Sequence, residues 1–256
     1  MFIFNISVFH LTKCSKYVIM RSSKVLFTQP TDLSNFTEDG KMNNTIVHES
    51  MKMRRLRRAV EVSADMFLKQ GFDNVKMSDI ADESGVGVAT LYRYFGTKTG
   101  IVIAAMTHLW NKLNDMFSGV FESSVFVSQT GLKQVKDLMR MYIVLFEAHK
   151  DFMRLLGEFD LMIIKEDIPR DQLADYEQSI MNFFDTYDAA CKIGIADGTI
   201  RDDIDLKLFY LSYGHALMEL TKKLIKGEVL PSDNFAEGAR EIEMLVDTAV
   251  EYLRKR

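Results

Sequence analysis

Apolar residues recur every three or four positions from Met51 to the C-terminus, which places them on one face of successive α-helices. Only three prolines occur in 256 residues, so long stretches are free to be helical. Gly71 is predicted to end a first helix over 52–70, and the stripe from Leu132 to Phe146 predicts a single later helix. No segment alternates with the period of a half-buried strand. The sequence therefore predicts an all-α fold of about nine helices.

Charge is distributed unevenly along the chain, although the net charge is only −4. Residues 51–100 carry a charge of +3, whereas residues 101–256 carry −8. A basic segment beside an acidic remainder is typical of a soluble protein that contacts nucleic acid through one local surface.

Residues 1–50 differ in composition from the rest. The apolar run Met1–Phe9 is too short for a membrane span, and its positive charges follow it, whereas a secretory signal has them first. We interpret 1–50 as a poorly ordered extension, or as the product of an upstream start, since Met42, Met51 and Met53 offer later ones. A lipid-surface anchor is the alternative interpretation.

The segment from Ser78 to Phe95 predicts a helix, a glycine turn and a second helix. Ser78 is a suitable cap for a helix that ends near Glu83, and Gly85 and Gly87 make the turn. Residues 88–95 form the second helix, which Leu91 and Phe95, at i and i+4, anchor to a small core. A helix of this size fits the major groove of DNA. Thr97 is predicted to cap the long helix that follows, to about Phe117.

This part of the chain resembles the TetR family of transcriptional regulators. The matching stretches are Phe67–Phe72, Ile80–Ala81, Gly85–Val86 and Thr90–Lys98. The later segment Asp197–Asp205 resembles a junction between two helices of that family. The resemblance implies a helix-turn-helix DNA-binding domain at 51–98, followed by a larger helical ligand-binding and dimerisation domain at 99–256.

The resemblance also implies which side chains contact double-stranded operator DNA: those of Thr90, Tyr92, Arg93 and Tyr94, with Lys98 on a phosphate. Arginine can donate two hydrogen bonds to guanine, and Thr and Tyr hydroxyls can bond phosphate. Lys98 lies where a helix N-terminus already favours phosphate. Tyr92 and Tyr94 could instead pack under the helix, and Thr90 and Arg93 could be plain solvated surface.

Two departures from the family affect this surface. Many relatives carry Ser or Thr where this chain has Gly87, and a polar residue where it has Val88. Gly87 can still cap a helix but supplies no hydroxyl for a phosphate. We therefore expect base recognition to depend more on Thr90 and Arg93.

A basic run opens the first predicted helix and consists of Lys52, Arg54, Arg55, Arg57 and Arg58. Positive charge at a helix N-terminus interacts unfavourably with the helix dipole. This energetic cost is easier to understand if the basic side chains bind DNA phosphates. Arg54, Arg58 and Ser78 complete the predicted DNA-binding residues. A solvated basic face is the alternative.

The acidic C-terminal part carries no catalytic or metal-binding pattern. It has no phosphate-binding glycine loop, and no histidine follows a Glu by three positions as in di-iron bundles. His215 and Glu219 share a helix face, but a structural pair is favoured over a metal. Cys14 and Cys191 lack metal spacing, and Cys191 is predicted to be a buried, reduced thiol. We expect a cytoplasmic protein that is no enzyme and needs no cofactor.

In the TetR family, helices four to seven enclose a ligand pocket and the last two helices pair with a second subunit. The last helices here span roughly 204–226 and 233–254, and their wide apolar stripes suit a homodimer. As a set, the aromatic side chains of the earlier helices indicate an apolar or aromatic small-molecule effector, although each could be simple core. The candidate ligand-binding residues are Trp110, Tyr142, Phe146, Phe152, Phe159, Phe184 and Tyr187.

The sequence thus predicts a repressor that releases its operator when a small effector binds, without a membrane partner. A TetR-like activator, or a DNA-binding regulator without a ligand, is the main alternative. An all-α enzyme or scaffold with a relic DNA-binding segment is a different class, which the lack of catalytic residues disfavours. A regulator tethered to the membrane through residues 1–27 is a further alternative.

Overall fold

The computed structural model describes residues 44–227 and 237–256, which form eleven α-helices and one 3-10 turn, Arg170–Leu173. The helices are α1 (Asn44–Gln70), α2 (Met77–Ser84), α3 (Val88–Phe95), α4 (Lys98–Phe121), α5 (Ser124–Val127), α6 (Gly131–Met139), α7 (Met141–Ala148), α8 (Lys150–Lys165), α9 (Ala174–Ala196), α10 (Leu206–Lys226) and α11 (Gly238–Leu253). The predicted all-α class is confirmed.

There are more helices than the predicted nine because two segments divide differently. The short α5 had no clear apolar stripe, and the stripe predicted as one helix breaks at Arg140 into α6 and α7. The stripe itself continues across the break, since Leu138, Met139 and Leu145 are all buried. Periodicity therefore identified the buried face but not the interruption of the backbone.

The helix-turn-helix is α2, a glycine turn and α3. Gly71 ends α1 with φ 75°, and Gly85 ends α2 with φ 69°, both in the left-handed region that favours glycine. Asp79 near the start of α2 accepts a hydrogen bond from the Lys76 backbone N–H at 2.9 Å. These two glycines fix the directions in which the chain leaves α1 and enters α3.

The buried side chains form two clusters. The first joins α1–α4 to α7, α8 and the segment up to Tyr176, around Phe67, Leu91 and Phe159. The second joins α6 to the last three helices, around Leu217 and Val246. The first cluster crosses the boundary predicted at residues 98 and 99, so the helix-turn-helix shares its core with the body that follows.

The predicted extension at 1–50 falls mostly outside the described residues, and so do Cys14 and the run Met1–Phe9. Of that extension, residues 44–50 belong to α1. Among the residues that the structure covers, no helix has both the length and the apolar character needed to cross a membrane.

Candidate DNA-binding surface and effector cavity

The orientation of α3 is set by its buried side chains. Leu91 is fully buried, and Phe95 packs partly buried against the same cluster, together with Ile80 from α2 and Val86 from the turn. Burying one leucine side chain stabilises a fold by about 1.5–3 kcal/mol. These contacts hold an eight-residue helix against the body and leave its opposite face in solvent.

The solvent face of α3 carries most of the predicted base-reading side chains. Tyr92 is 48% exposed and Arg93 is exposed, while Thr90 is half-buried. Val88 and Ala89 are also exposed in the first turn, where a recognition helix meets base edges. Sequence reasoning treated Val88 only as a departure from the family and passed over Ala89, because small apolar residues carry no polar signal, yet both can contact a thymine methyl.

Tyr94 lies half-buried between α1 and α3. The Lys52 ammonium lies 4.9 Å, and the Arg93 guanidinium 5.4 Å, from the centre of its ring. Cations over an aromatic face are attracted by about 0.5–1 kcal/mol at exposed sites. Tyr94 therefore tethers the basic part of α1 to the exposed face of α3.

Lys98 begins α4, directly after α3. Its helix is capped as predicted by Thr97, whose hydroxyl oxygen accepts a hydrogen bond from the Gly100 N–H at 3.2 Å. Lys98 is half-buried in the first turn, where the free N–H groups of the helix favour an anion.

Two predictions about helix starts are wrong. Ser78 is not the cap of α2, because that helix begins one residue earlier, at Met77, with Lys76 in the capping position. The exposed Ser78 hydroxyl donates to Asp79 instead. The basic run, which includes Arg54 and Arg58, does not open α1, because α1 begins at Asn44. The dipole argument for phosphate contact therefore fails, although both arginines are exposed.

Three of the seven predicted ligand-binding aromatics fill the first cluster. Trp110 and Phe152 meet edge to face with centroids 5.0 Å apart, and the Trp110 indole N–H donates to the Tyr176 hydroxyl at 3.1 Å. The Phe159 ring packs on the Tyr176 ring at 4.8 Å. These rings contact one another closely, and all three are buried.

A small, partly open cavity of about 40 Å³ lies in the second cluster, where α6, α7, α9 and α10 meet. Of the predicted set, only Tyr142 and Tyr187 line it. Phe184 lies next to it, with its ring 5.1 Å from that of Tyr210, and Phe146 lies under the start of α11 near Gly238. The lining residues are Leu138, Met139, Met141, Tyr142, Tyr187, Phe209, Tyr210, Tyr213, Gly214 and Leu217.

The Tyr187 hydroxyl is the unusual polar group of this cavity. Its side chain is only 4% exposed, and the hydroxyl makes no hydrogen bond to an oxygen or nitrogen atom, its polar neighbour being the weakly bonding Cys191 thiol. Burial raises the pKa of Tyr187 far above its usual range, and the nearby Cys191 thiol, a weak hydrogen-bonding group, adds to the rise. Burial likewise raises the pKa of Tyr142 and of Tyr210, so these phenols remain protonated.

The last two helices expose apolar side chains side by side with charged ones. Leu208 on α10 is 61% exposed, and Met244 and Tyr252 on α11 are 69% and 52% exposed. His215 is exposed on α10, and the Glu219 carboxylate pairs with Lys222 at 2.5 Å. Among the described residues, no cluster of His, Cys, Asp or Glu could hold a metal ion.

The sequence model of the family described as "Bacterial regulatory proteins, tetR family" matches residues 59–105, from the second half of α1 to the second turn of α4. This range contains the whole helix-turn-helix. The helix-turn-helix segment of this chain therefore matches the TetR family. No curated protein matches the chain significantly.

Solved structures of transcriptional regulators share the fold over most of this chain. A regulator from Haloarcula marismortui has 15% identity and a TM-score of 0.61, with 79% of this chain and 99% of that chain covered. A regulator from Saccharomonospora viridis, in complex with choline, has 16% identity and a TM-score of 0.60, with 78% and 97% covered. FadR from Bacillus subtilis, in complex with stearoyl-CoA, has 14% identity and a TM-score of 0.56, with 78% and 100% covered.

Within this TetR fold, sequence reasoning missed Tyr210 and Tyr213 of the cavity. Their spacing placed them on α10, the whole of which was assigned to subunit pairing. The signal that could have found them is that Phe209, Tyr210 and Tyr213 follow a helical spacing on the side opposite to Leu208.

Proposed function

We propose that this TetR family member is a homodimeric repressor that releases its operator when a small, largely apolar effector binds. The exposed face of α3 carries the proposal, because Tyr92 and Arg93 project from a helix that Leu91 anchors on the other side. A rigid helix with an exposed arginine can enter the major groove and bond guanine. Tyr94 joins this face to Lys52 of α1. The other predicted contacts would extend the surface toward phosphates: Arg54, Arg58, Ser78, Thr90 and Lys98.

Pairing through α10 and α11 explains their exposed apolar residues. Leu208, Met244 and Tyr252 would lose their contact with water in a four-helix interface. Each large apolar side chain buried in this way contributes about 1.5–3 kcal/mol. A two-fold dimer would also present two α3 helices to successive major grooves, as operator recognition requires.

Contacts between α8 and the helix-turn-helix could transmit the effector signal. The Thr99 hydroxyl near the start of α4 donates to Glu166 at 2.7 Å, and Arg154 donates to the Leu68 carbonyl at 3.3 Å. A shift of α8 would therefore move both ends of the DNA-binding unit. That the Saccharomonospora and Bacillus proteins hold choline and stearoyl-CoA supports a ligand-binding body in this fold. An effector that favours one conformer then lowers DNA affinity by population shift.

Operator selection from a random duplex library, followed by titration at fixed salt, tests the proposal. Arg93→Ala should weaken binding of the selected duplex by about 1–3 kcal/mol and relax its specificity at one base pair. The matched control is Lys192→Ala, which removes an exposed cation from α9, far along the chain from α3. Lys192→Ala should leave affinity unchanged. If Arg93→Ala and Thr90→Ala both bind like the unmodified protein, α3 does not read the operator.

A further inference from the structure

The cavity between α6, α7, α9 and α10 combines apolar walls with several phenol groups. Tyr142, Tyr187, Tyr210 and Tyr213 all line it, beside leucine, methionine and Phe209. None of the described residues that line it carries a charge. The wall therefore offers a ligand apolar contact and hydroxyl groups, but no partner for a full charge.

Two of the hydroxyl groups on this wall lack a good hydrogen-bond acceptor. The Tyr187 hydroxyl has no oxygen or nitrogen partner, and the Tyr142 hydroxyl reaches the Gly214 carbonyl only at 3.5 Å, the outer limit of a hydrogen bond. Their raised pKa values keep the phenols protonated near neutral pH. A buried donor left unpaired is costly, so a ligand oxygen placed there would recover that loss.

We propose that this cavity is the effector site and that it takes a neutral, mostly apolar compound with one oxygen acceptor, such as a carbonyl, bonded by the Tyr187 hydroxyl. The inference rests on the proposed function and adds the ligand class and the site. A carboxylate or an ammonium ion is excluded as the recognised group, because a buried charge needs a charged partner.

The size of the cavity couples binding to α10. A volume of about 40 Å³ holds little more than a water molecule. An organic ligand must therefore displace side chains, and Met139 and Met141 are the flexible ones on the α6–α7 wall. The opposite wall is α10, through Tyr210, Gly214 and Leu217. Ligand entry thus presses on the helix that we propose to form the dimer.

The probe is acetophenone, compared with ethylbenzene, which lacks the carbonyl oxygen, and benzoate, which carries a charge. Binding to the full-length protein is measured by ligand-observed NMR titration. Acetophenone should bind saturably and more tightly than both analogues. The proposal is overturned if acetophenone shows no saturable binding, or if ethylbenzene or benzoate binds as tightly.

Two variants test the assigned atoms. Tyr187→Phe should weaken acetophenone about tenfold, the value of one hydrogen bond, without lowering the stability of the free protein, because the lost hydroxyl had no oxygen or nitrogen partner. Tyr176→Phe is the matched control: it removes a paired hydroxyl in the first cluster, so it should reduce stability and leave acetophenone affinity unchanged. Equal affinity in Tyr187→Phe and the unmodified protein would contradict the assignment.

A second experiment fills the cavity with a larger side chain at Gly214. A Cβ at Gly214 would lie 4.0 Å from the Tyr142 hydroxyl, so a larger side chain there approaches the cavity wall that carries Tyr142. Gly214→Leu should occupy the space and abolish binding, and unaltered binding would place the probe elsewhere. The same preparations are titrated with the selected operator. In the unmodified protein, operator binding without acetophenone binding rejects the site alone, whereas failure to bind operator rejects the proposed function.

Discussion

The two hydrophobic clusters differ in how their central aromatic side chains are packed and paired. In the first, rings meet edge to face, as in Phe67 with Phe72 at 5.2 Å, and the Trp110 N–H has its acceptor. In the second, a cavity persists and the Tyr187 hydroxyl has no oxygen or nitrogen partner. Close packing makes a region stiff, whereas a cavity beside an unpaired hydrogen-bond donor leaves room for a second arrangement of the side chains.

This difference matches the tasks proposed for the two regions. The first cluster holds α3 in the one orientation that lets its outer face meet DNA. The second contains the helices proposed to bind a ligand and a second subunit, and entry of a ligand requires side chains there to move. A protein that responds to a ligand needs one region whose conformation stays fixed and another whose conformation changes.

The largest expected effect on stability comes from Phe67→Ala in the first cluster. Phe67 is fully buried, so the substitution should lower the free energy of unfolding by about 3–5 kcal/mol. Met139→Ala beside the cavity should cost only about 2 kcal/mol, because neighbouring side chains can relax into existing space. Urea unfolding of both variants measures the two losses. An equal or greater loss at Met139 would show that the second cluster is as rigidly packed as the first.

Helix starts show the same contrast at smaller scale. Thr97 caps α4 with its own hydroxyl, whereas Thr130 before α6 makes no such bond. The start of α6 is satisfied from the end of α9, because the Asp197 carboxylate accepts from the Gly131 N–H at 2.8 Å.

Thr97→Ala should therefore lower the free energy of unfolding by about 1 kcal/mol, the usual value of a cap. Thr130→Ala is the matched control, with a near-zero effect expected in the same urea titration. A comparable loss from both substitutions would mean that α6 depends on a local cap after all.

These contrasts explain what the sequence could predict. The Thr97 cap, the glycine ends of α1 and α2 and the Leu91 anchor depend on residues within a few positions, so spacing alone identified them. The hydrogen bond between Gly131 and Asp197 joins residues that are 66 positions apart. The cavity is formed by residues of four different helices. Composition could supply the aromatic residues but not their division between a filled core and a cavity wall.

Two carboxyl groups extend the comparison to pH, with the smallest expected effect. Hydrogen bonds from Thr199 and from the Gly131 backbone lower the pKa of Asp197 below its usual 3.8. Its ionised form therefore favours the folded state, and this stability is present above pH 3.8 and is lost as pH falls through the lowered pKa. Burial raises the pKa of Asp160, although its bond to Lys222 opposes the rise. Asp160 therefore contributes stability below pH 3.8 that is lost as pH rises through the raised pKa.

Substitution by asparagine should act in opposite directions at the two positions. Near neutral pH, Asp197→Asn should lower the free energy of unfolding, and its difference from the unmodified protein should shrink as the medium becomes acidic. Asp160→Asn should not lower it near neutral pH, because Lys222 keeps its second carboxylate, Glu219, at 2.5 Å. Urea unfolding at a series of pH values gives both differences. A loss near neutral pH for Asp160→Asn that matches Asp197→Asn would mean that the ion pair between α8 and α10 fastens the second cluster to the first, and the two would then respond as one rigid body.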